Sequence, residues 1–316
     1  MIDVIIPVYN LENYIKECLD SFVCQYDGTF KIIIIDDGSS DSSGCICKEY
    51  QQKHTFIEYH HKKNGGLSSA RNYGLMFSKS DYVFFFDGDD YIDENAFIKI
   101  KKTIVESSPD IIFIEDDRFL DGDSKFTYID SKISKKVLLS NDKERILKHL
   151  LRLRRMRVAA WSMIFKKKSF SDLTFEEGMA LEDVDWSIKM LTEANSFDII
   201  KGPIYHYRVR GDSLSHSCIN SWKIESLLTV INKRCSRDKT LPYQWFINGH
   251  LACFYVQILY LTSKDKVLLK QYFPIFKQYK WLLKYGKNSV CLFSKIIAYL
   301  FGLKTLIALF RISRKK

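Results

Sequence analysis

Tyr82-Val83-Phe84-Phe85-Phe86-Asp87-Gly88-Asp89-Asp90 is the stretch on which the fold turns. An unbroken apolar run of this length reads as a strand covered on both faces, and it ends abruptly in carboxylates. The same arrangement stands upstream, where the strand Phe30–Ile35 runs into Asp36-Asp37-Gly38-Ser39-Ser40-Asp41. Further strands are expected at Ile2–Val8, Phe56–Tyr59 and Asp110–Ile114. Between them, Leu11, Tyr14, Ile15, Cys18, Leu19 and Phe22 fall on one helical face behind an Asn10 cap, and Leu67–Phe77 and Asp93–Glu106 also read as helices. Repeated βαβ units specify an α/β fold with an open, doubly wound, mostly parallel, Rossmann-like sheet. Both acidic clusters then lie at the carboxyl ends of strands, the edge where such sheets bind ligands.

The second half is less regular. Lys143–Arg155 and Glu182–Leu191 read as helices, Ala159–Phe165 as strand-like, and Phe197–Ile200 and Ile204–Arg210 as two short strands. The expected division is a domain at 1–215, with halves 1–115 and 116–215, followed by a basic, aromatic, mainly helical region at 216–316. The 316 residues carry a net charge of +10. From Lys239 to Lys316 there are 14 Lys/Arg against Asp265 alone, so that stretch holds +13 and the remainder −3. The basic surplus thus lies outside the domain with the acidic rim, which speaks against nucleic acid as partner and for an anionic surface beside the C-terminal region. Met1 leads straight into an apolar run without a basic n-region, and the eight cysteines show no zinc spacing, so a cytoplasmic, reduced setting is expected.

Asp87-Gly88-Asp89 is a DxD. Two carboxylates beyond a strand face one site if the chain turns at Gly88, and hard divalent cations take such oxygens with substrate phosphates. The competing reading is a plain Asp/Gly turn. Asp36-Asp37 can accept hydrogen bonds from a base or ribose, or serve only as a solvated turn. Gly65-Gly66-Leu67-Ser68-Ser69-Ala70-Arg71-Asn72 puts a flexible turn at a helix start, with Arg71 either at a base or phosphate or on the surface; it is neither a Walker loop nor a dinucleotide fingerprint. Glu182-Asp183 opens a helix, where acids complement the dipole or, alternatively, point into a cleft as a base.

In order and spacing these motifs, with Val4-Ile5-Ile6-Pro7-Val8-Tyr9-Asn10, resemble those of the family 2 glycosyltransferases over about residues 1–215. The resemblance implies a GT-A fold and an inverting transferase using a nucleotide-diphosphate sugar, UDP first, of the kind that builds bacterial capsule, exopolysaccharide or lipopolysaccharide. It implies that Pro7, Val8 and Tyr9 line the nucleotide pocket, with Asp36, Asp37 and Arg71 at the base. Asp87 and Glu182 would join the nucleotide-sugar site, Asp89 would ligate Mn²⁺ or Mg²⁺ with Asp87 beside it, and Asp183 would be the general base. In Tyr205–Ser213, Arg208 and Ser213 would reach the diphosphate, and His206 and His216 are candidates for a third metal ligand.

Val290–Phe310 is 21 residues long and mostly apolar, near the length of a membrane span, but Lys295 and Lys304 interrupt it. The favoured reading is an interfacial segment at the inner face of the membrane with snorkelling lysines, serving a glycan acceptor on a lipid carrier; the alternative is a packed helical subdomain. Arg152–Arg157 is a solvated helix face or a contact for an acceptor diphosphate. The rival functions are a nucleic-acid-binding protein and a metal-dependent nucleotidyltransferase, the latter lacking a basic triphosphate-gripping loop at Pro7–Leu11.

Overall fold

The computed structural model describes residues 1–123, 125–153, 158–211 and 219–312. The chain forms two compact units. The first comprises residues 1–143, 157–178 and 182–216; the second comprises 144–156, 179–181 and 217–316.

In the first unit the elements are β1 (Ile2–Val8), α1 (Ile15–Val23), β2 (Phe30–Asp36), α2 (Ser43–Lys53), β3 (Ile57–His61), α3 (Leu67–Phe77), β4 (Tyr82–Phe85), β5 (Tyr91–Ile92), α4 (Ala96–Ser107), β6 (Ile111–Leu120), β7 (Thr127–Ile129) and α5 (Lys135–Leu138). After α6 (Lys143–Arg152), most of which belongs to the second unit, come β8 (Met163–Lys166), α7 (Glu182–Glu193) and β9 (Phe197–Val209). One sheet runs β3-β2-β1-β4-β8-β6-β9-β5, with β7 on β6. β3, β2, β1 and β4 are mutually parallel, as their apolar runs predict. The sheet as a whole is mixed: β8 enters antiparallel to both β4 and β6, while β6 and β9 pair in parallel.

Strand alternation divides the core. Val4, Ile6 and Val8 of β1 join Ile32, Ile34, Phe84 and Phe86 in the cluster that α1 and α4 cover through Phe22 and Phe97. On the other face a Cβ on Gly74 of α3 would stand 2.4 Å from Ile5 Cγ2, so that helix lies against β1 closer than any larger residue allows. α7 is anchored on the same face by Trp186, which stacks on Phe175 at 4.9 Å, meets Phe85 edge-on and donates from Nε1 to Leu173 O.

Two local expectations are corrected. Asn10 does not cap α1, which begins at Ile15 with no side-chain cap; its Oδ1 instead accepts from Ser40 N at 2.9 Å and ties the Asp36–Asp41 turn to the end of β1. The two short strands are one, β9, because Lys201-Gly202-Pro203 makes a bulge rather than a break. There Gly202 takes φ +83° and its N–H, with Lys201 Nζ and Ser131 Oγ, donates to the fully buried Glu115. Burial pushes the Glu115 carboxyl up, but those bonds and Tyr128 outweigh it and hold it down at about 2.

The second unit is helical: α8 (Ser221–Arg234), α9 (Gln244–Thr262), α10 (Lys266–Tyr279), α11 (Ser289–Leu300) and α12 (Leu303–Ile312), with the 144–152 part of α6. α9 buries Phe246, Leu251, Tyr255 and Leu259 among others, and burial alone pushes its His250 down to about 3. Val290–Phe310 is not one helix. Gly302, at φ +89°, divides it into α11 and α12. Among the described residues no helix is long and apolar enough to cross a membrane.

Candidate active site

The register sets the site. Val8 pairs with Asp36, and Ile5 pairs with Phe85, so the ends of β1, β2 and β4 reach one edge together. Asp37 begins the construction. It is 3% exposed and accepts from Gly65 N at 3.0 Å, Gly66 N at 2.7 Å and Lys62 Nζ at 2.6 Å. Gly66 takes φ +86°, a conformation open to glycine, and Asp37 thereby fixes the turn that launches α3. Asp36 is committed in the same way, to Tyr59 Oη at 2.6 Å, Ser39 N at 2.8 Å and His61 Nδ1 at 3.1 Å.

α3 so launched carries Arg71 into the interior, 1% exposed, which excludes a surface cation. Its Nη1 donates to Glu182 Oε1 at 3.0 Å and Asp183 Oδ1 at 3.1 Å, and its Nη2 to Asp87 Oδ1 at 3.2 Å. Its guanidinium carbon lies 5.2 Å from the centroid of the Phe175 ring, and among the described residues its buried Nε has no hydrogen-bond partner. One guanidinium thus gathers carboxylates separated by more than ninety positions. Burial pushes Asp183 up to about 7; Arg71 opposes the shift, and the charges of Glu182 and Asp87 add to it. Asp87 is also raised, by burial against the pull of Arg71.

The DxD is a built feature rather than a plain turn. A Cβ on Gly88 would meet Leu11 Cδ1 at 3.0 Å, so the loop lies flat on the start of the α1 region. Asp89 is raised by burial and then by the charge of Asp87, while Arg210 opposes by donating from Nη2 to Asp89 Oδ2 at 2.7 Å. Asp90, driven well above the carboxylate range by burial and by Asp89 and Asp87, accepts from Tyr205 Oη and from Arg208 N. Acidic groups buried together and partly neutralised by arginine suit a ligand that is itself cationic or metal-bound and phosphate-rich.

Residues 3–174 match the family described as "Glycosyl transferase family 2". The chain belongs to glycosyl transferase family 2. Among curated glycosyltransferases it is similar to GlyA of Streptococcus pneumoniae serotype 4, 32% identical over 259 residues, which is 80% of this chain and 36% of that protein. It is 32% identical over 237 residues to the minor teichoic acid biosynthesis protein GgaB of Bacillus subtilis, covering 72% of this chain and 25% of GgaB. The chain therefore spans about a third or less of these relatives' lengths. Among solved structures it superposes on residues 1–349 of S. aureus TarS in complex with UDP-GlcNAc, with a TM-score of 0.72 at 20% identity, over 99% of this chain and 91% of that one. The expected GT-A fold is the observed one.

In this family 2 glycosyltransferase the other sequence-predicted site residues are distributed unevenly. Pro7 and Val8 are buried in β1, and Tyr9, half exposed, is the one of the three open to a ligand. Arg208 is 7% exposed and spent on protein: Nε donates to Asp89 O at 2.8 Å, Nη1 to Asp121 at 3.0 Å and Nη2 to Glu17. His206 holds Asp117 through Nδ1 at 2.7 Å and packs on Tyr91, so the structure ties it to Asp117. Ser213, His216 and Arg154–Arg157 lie outside the described residues. Among the described residues no group of three His, Cys, Asp or Glu side chains is gathered for a metal. Sequence reasoning missed Arg210, whose signal was its spacing: two residues beyond Arg208 on an extended run, it faces the same side.

Proposed function

We propose that this family 2 glycosyltransferase is inverting and metal-assisted, moving a sugar from a nucleotide-diphosphate sugar, UDP first, to a hydroxyl of a growing surface glycan carried on a lipid at the cytoplasmic membrane face. The observation that carries the reading is the bridge from Arg71 to Asp87, Glu182 and Asp183, which joins the nucleotide edge of the sheet to the start of α7. The teichoic acid role printed for GgaB and the UDP-GlcNAc bound in TarS support the glycan and the nucleotide.

In this reading Asp183 takes the proton of the acceptor hydroxyl as it attacks the sugar C1. Its raised proton affinity suits that task, because a base works best with a pKa near the operating pH. Arg71 orients the Asp183 carboxylate, and single in-line displacement inverts the anomeric centre, so an α-linked donor gives a β-linkage. Asp87 and Asp89 are carboxylates two positions apart, the charge of Asp87 raises the proton affinity of Asp89, and a hard divalent ion fits that pair. Mn²⁺ or Mg²⁺ held there would stabilise the charge on the departing nucleoside diphosphate. Arg210 pairs with the Asp89 carboxylate, and in this reading it would turn toward that diphosphate.

The test is a panel of nucleotide sugars with Mn²⁺ or Mg²⁺, read as released nucleoside diphosphate. Metal-dependent release from one donor, lost on chelation, is expected. Release from no sugar nucleotide with either metal would overturn the reading.

A further inference from the structure

α11 lacks an ordinary solvent face. Cys291, Ser294 and Ala298 are buried against their own unit. On the opposite side Leu292, Phe293, Ile296, Tyr299 and Leu300 fall at i, i+1, i+4, i+7 and i+8, an arc of about 120° at the helical repeat. They are 43%, 51%, 55%, 41% and 71% exposed. A helix that hides a stripe of small residues and presents a large apolar one to water marks an interaction surface.

Charge says what covers it. The ammonium groups of Lys280 and Lys284 lie 4.6 and 5.7 Å from the centroid of the Tyr299 ring, and Lys295 flanks the arc on the Tyr299 side. Residues 266–316 contain 12 Lys/Arg and no Asp or Glu. A second copy seated on this face would set that positive charge against itself. Nucleic acid would meet an apolar stripe where a backbone-binding surface needs polar contacts. An anionic bilayer offers both an apolar interior and a negative plane.

We propose that α11 docks in the plane of an anionic lipid surface, its outer stripe at the acyl boundary and its lysines among the headgroups. Twelve residues make a helix of roughly 18 Å, too short for a hydrocarbon core of about 30 Å, so it lies on the membrane and does not span it. The inference rests on neither donor nor acceptor, so the transferase reading and this one fail separately.

The purified full chain is sedimented with vesicles of phosphatidylcholine alone, or mixed with about one third phosphatidylglycerol. Binding at least about tenfold stronger on the anionic vesicles is expected, weakening as salt rises. The double variant Ile296→Glu/Leu300→Glu should return binding to the neutral-vesicle level with an unchanged melting temperature, since both side chains are more than half exposed. Equal binding to the two vesicle types, or a double variant that binds like wild type, would overturn the proposal. So would a dimer in light scattering that the same double variant dissolves, because that assigns the stripe to a second copy.

Discussion

The two units break the inside-outside rule in opposite directions. The first buries charge: Arg71, Asp36, Asp37, Asp90 and Glu115 are each 3% exposed or less, and each is held by named donors or acceptors. The second leaves apolar side chains outside, with Leu300 at 71% and Phe301 at 64%. Buried charge survives only where every partner is in place, so the first unit is sensitive to single deletions at its rim. Exposed apolar surface costs the isolated chain little, so the second unit should tolerate change along α11.

The sharpest test of that contrast is Asp183→Asn, which keeps the shape and most of the hydrogen bonding. Turnover should fall by about 10²–10⁴-fold with folding intact, and near wild-type turnover would remove Asp183 as base. Because the base must be ionised, wild-type kcat/KM should drop as pH falls below about 7, tenfold per unit at the limit. Arg71→Met leaves three carboxylates without their shared cation and should destabilise by about 3–5 kcal/mol near neutral pH by chemical denaturation. Acid should shrink that loss, since the raised carboxyls of Asp87 and Asp183 then take up protons; a loss that grows with acid would refute the account. Glu115→Gln should cost about 2–3 kcal/mol at pH 7. The Glu115 carboxyl is held below its ordinary value, so its contribution is present above pH 4.5 and fades as pH falls toward about 2. At the other extreme, Leu300→Gln should change stability by no more than about 0.5 kcal/mol. A large loss there would mean the stripe of α11 is packed and would erase the contrast between the units.

Much of the first unit was legible because strands buried on both faces leave continuous apolar runs, as at Ile32–Ile35 and Val83–Phe86, and because each stops at carboxylates. The antiparallel entry of β8 was not, since Met163–Lys166 carries no mark of direction. Lys201-Gly202-Pro203 looked like a break because glycine and proline punctuate most strands, whereas here they make room for Glu115. At the rim, the pairing of Arg71 with Asp87, Glu182 and Asp183 was not legible, since its motif put Arg71 at a base, and Arg208 and Arg210 divided their tasks in a way that spacing could not resolve. Arg208 ties Glu17 and Asp121 to the backbone of the DxD loop, and Arg210 reaches the Asp89 carboxylate. Residue type does not say which of two alternate arginines finds protein and which finds the site. Composition located the basic region, but Gly302 decided that Val290–Phe310 is divided between two short helices.

The bridge made by Arg71 also imposes an order on synthesis. A ribosome that has delivered the first four parallel strands has produced an arginine destined for the interior and, of its carboxylate partners, Asp87 alone. Glu182 and Asp183 emerge about a hundred codons later, so until then that cation has one of its three carboxylate partners. Any fragment that stops short of α7 inherits that imbalance.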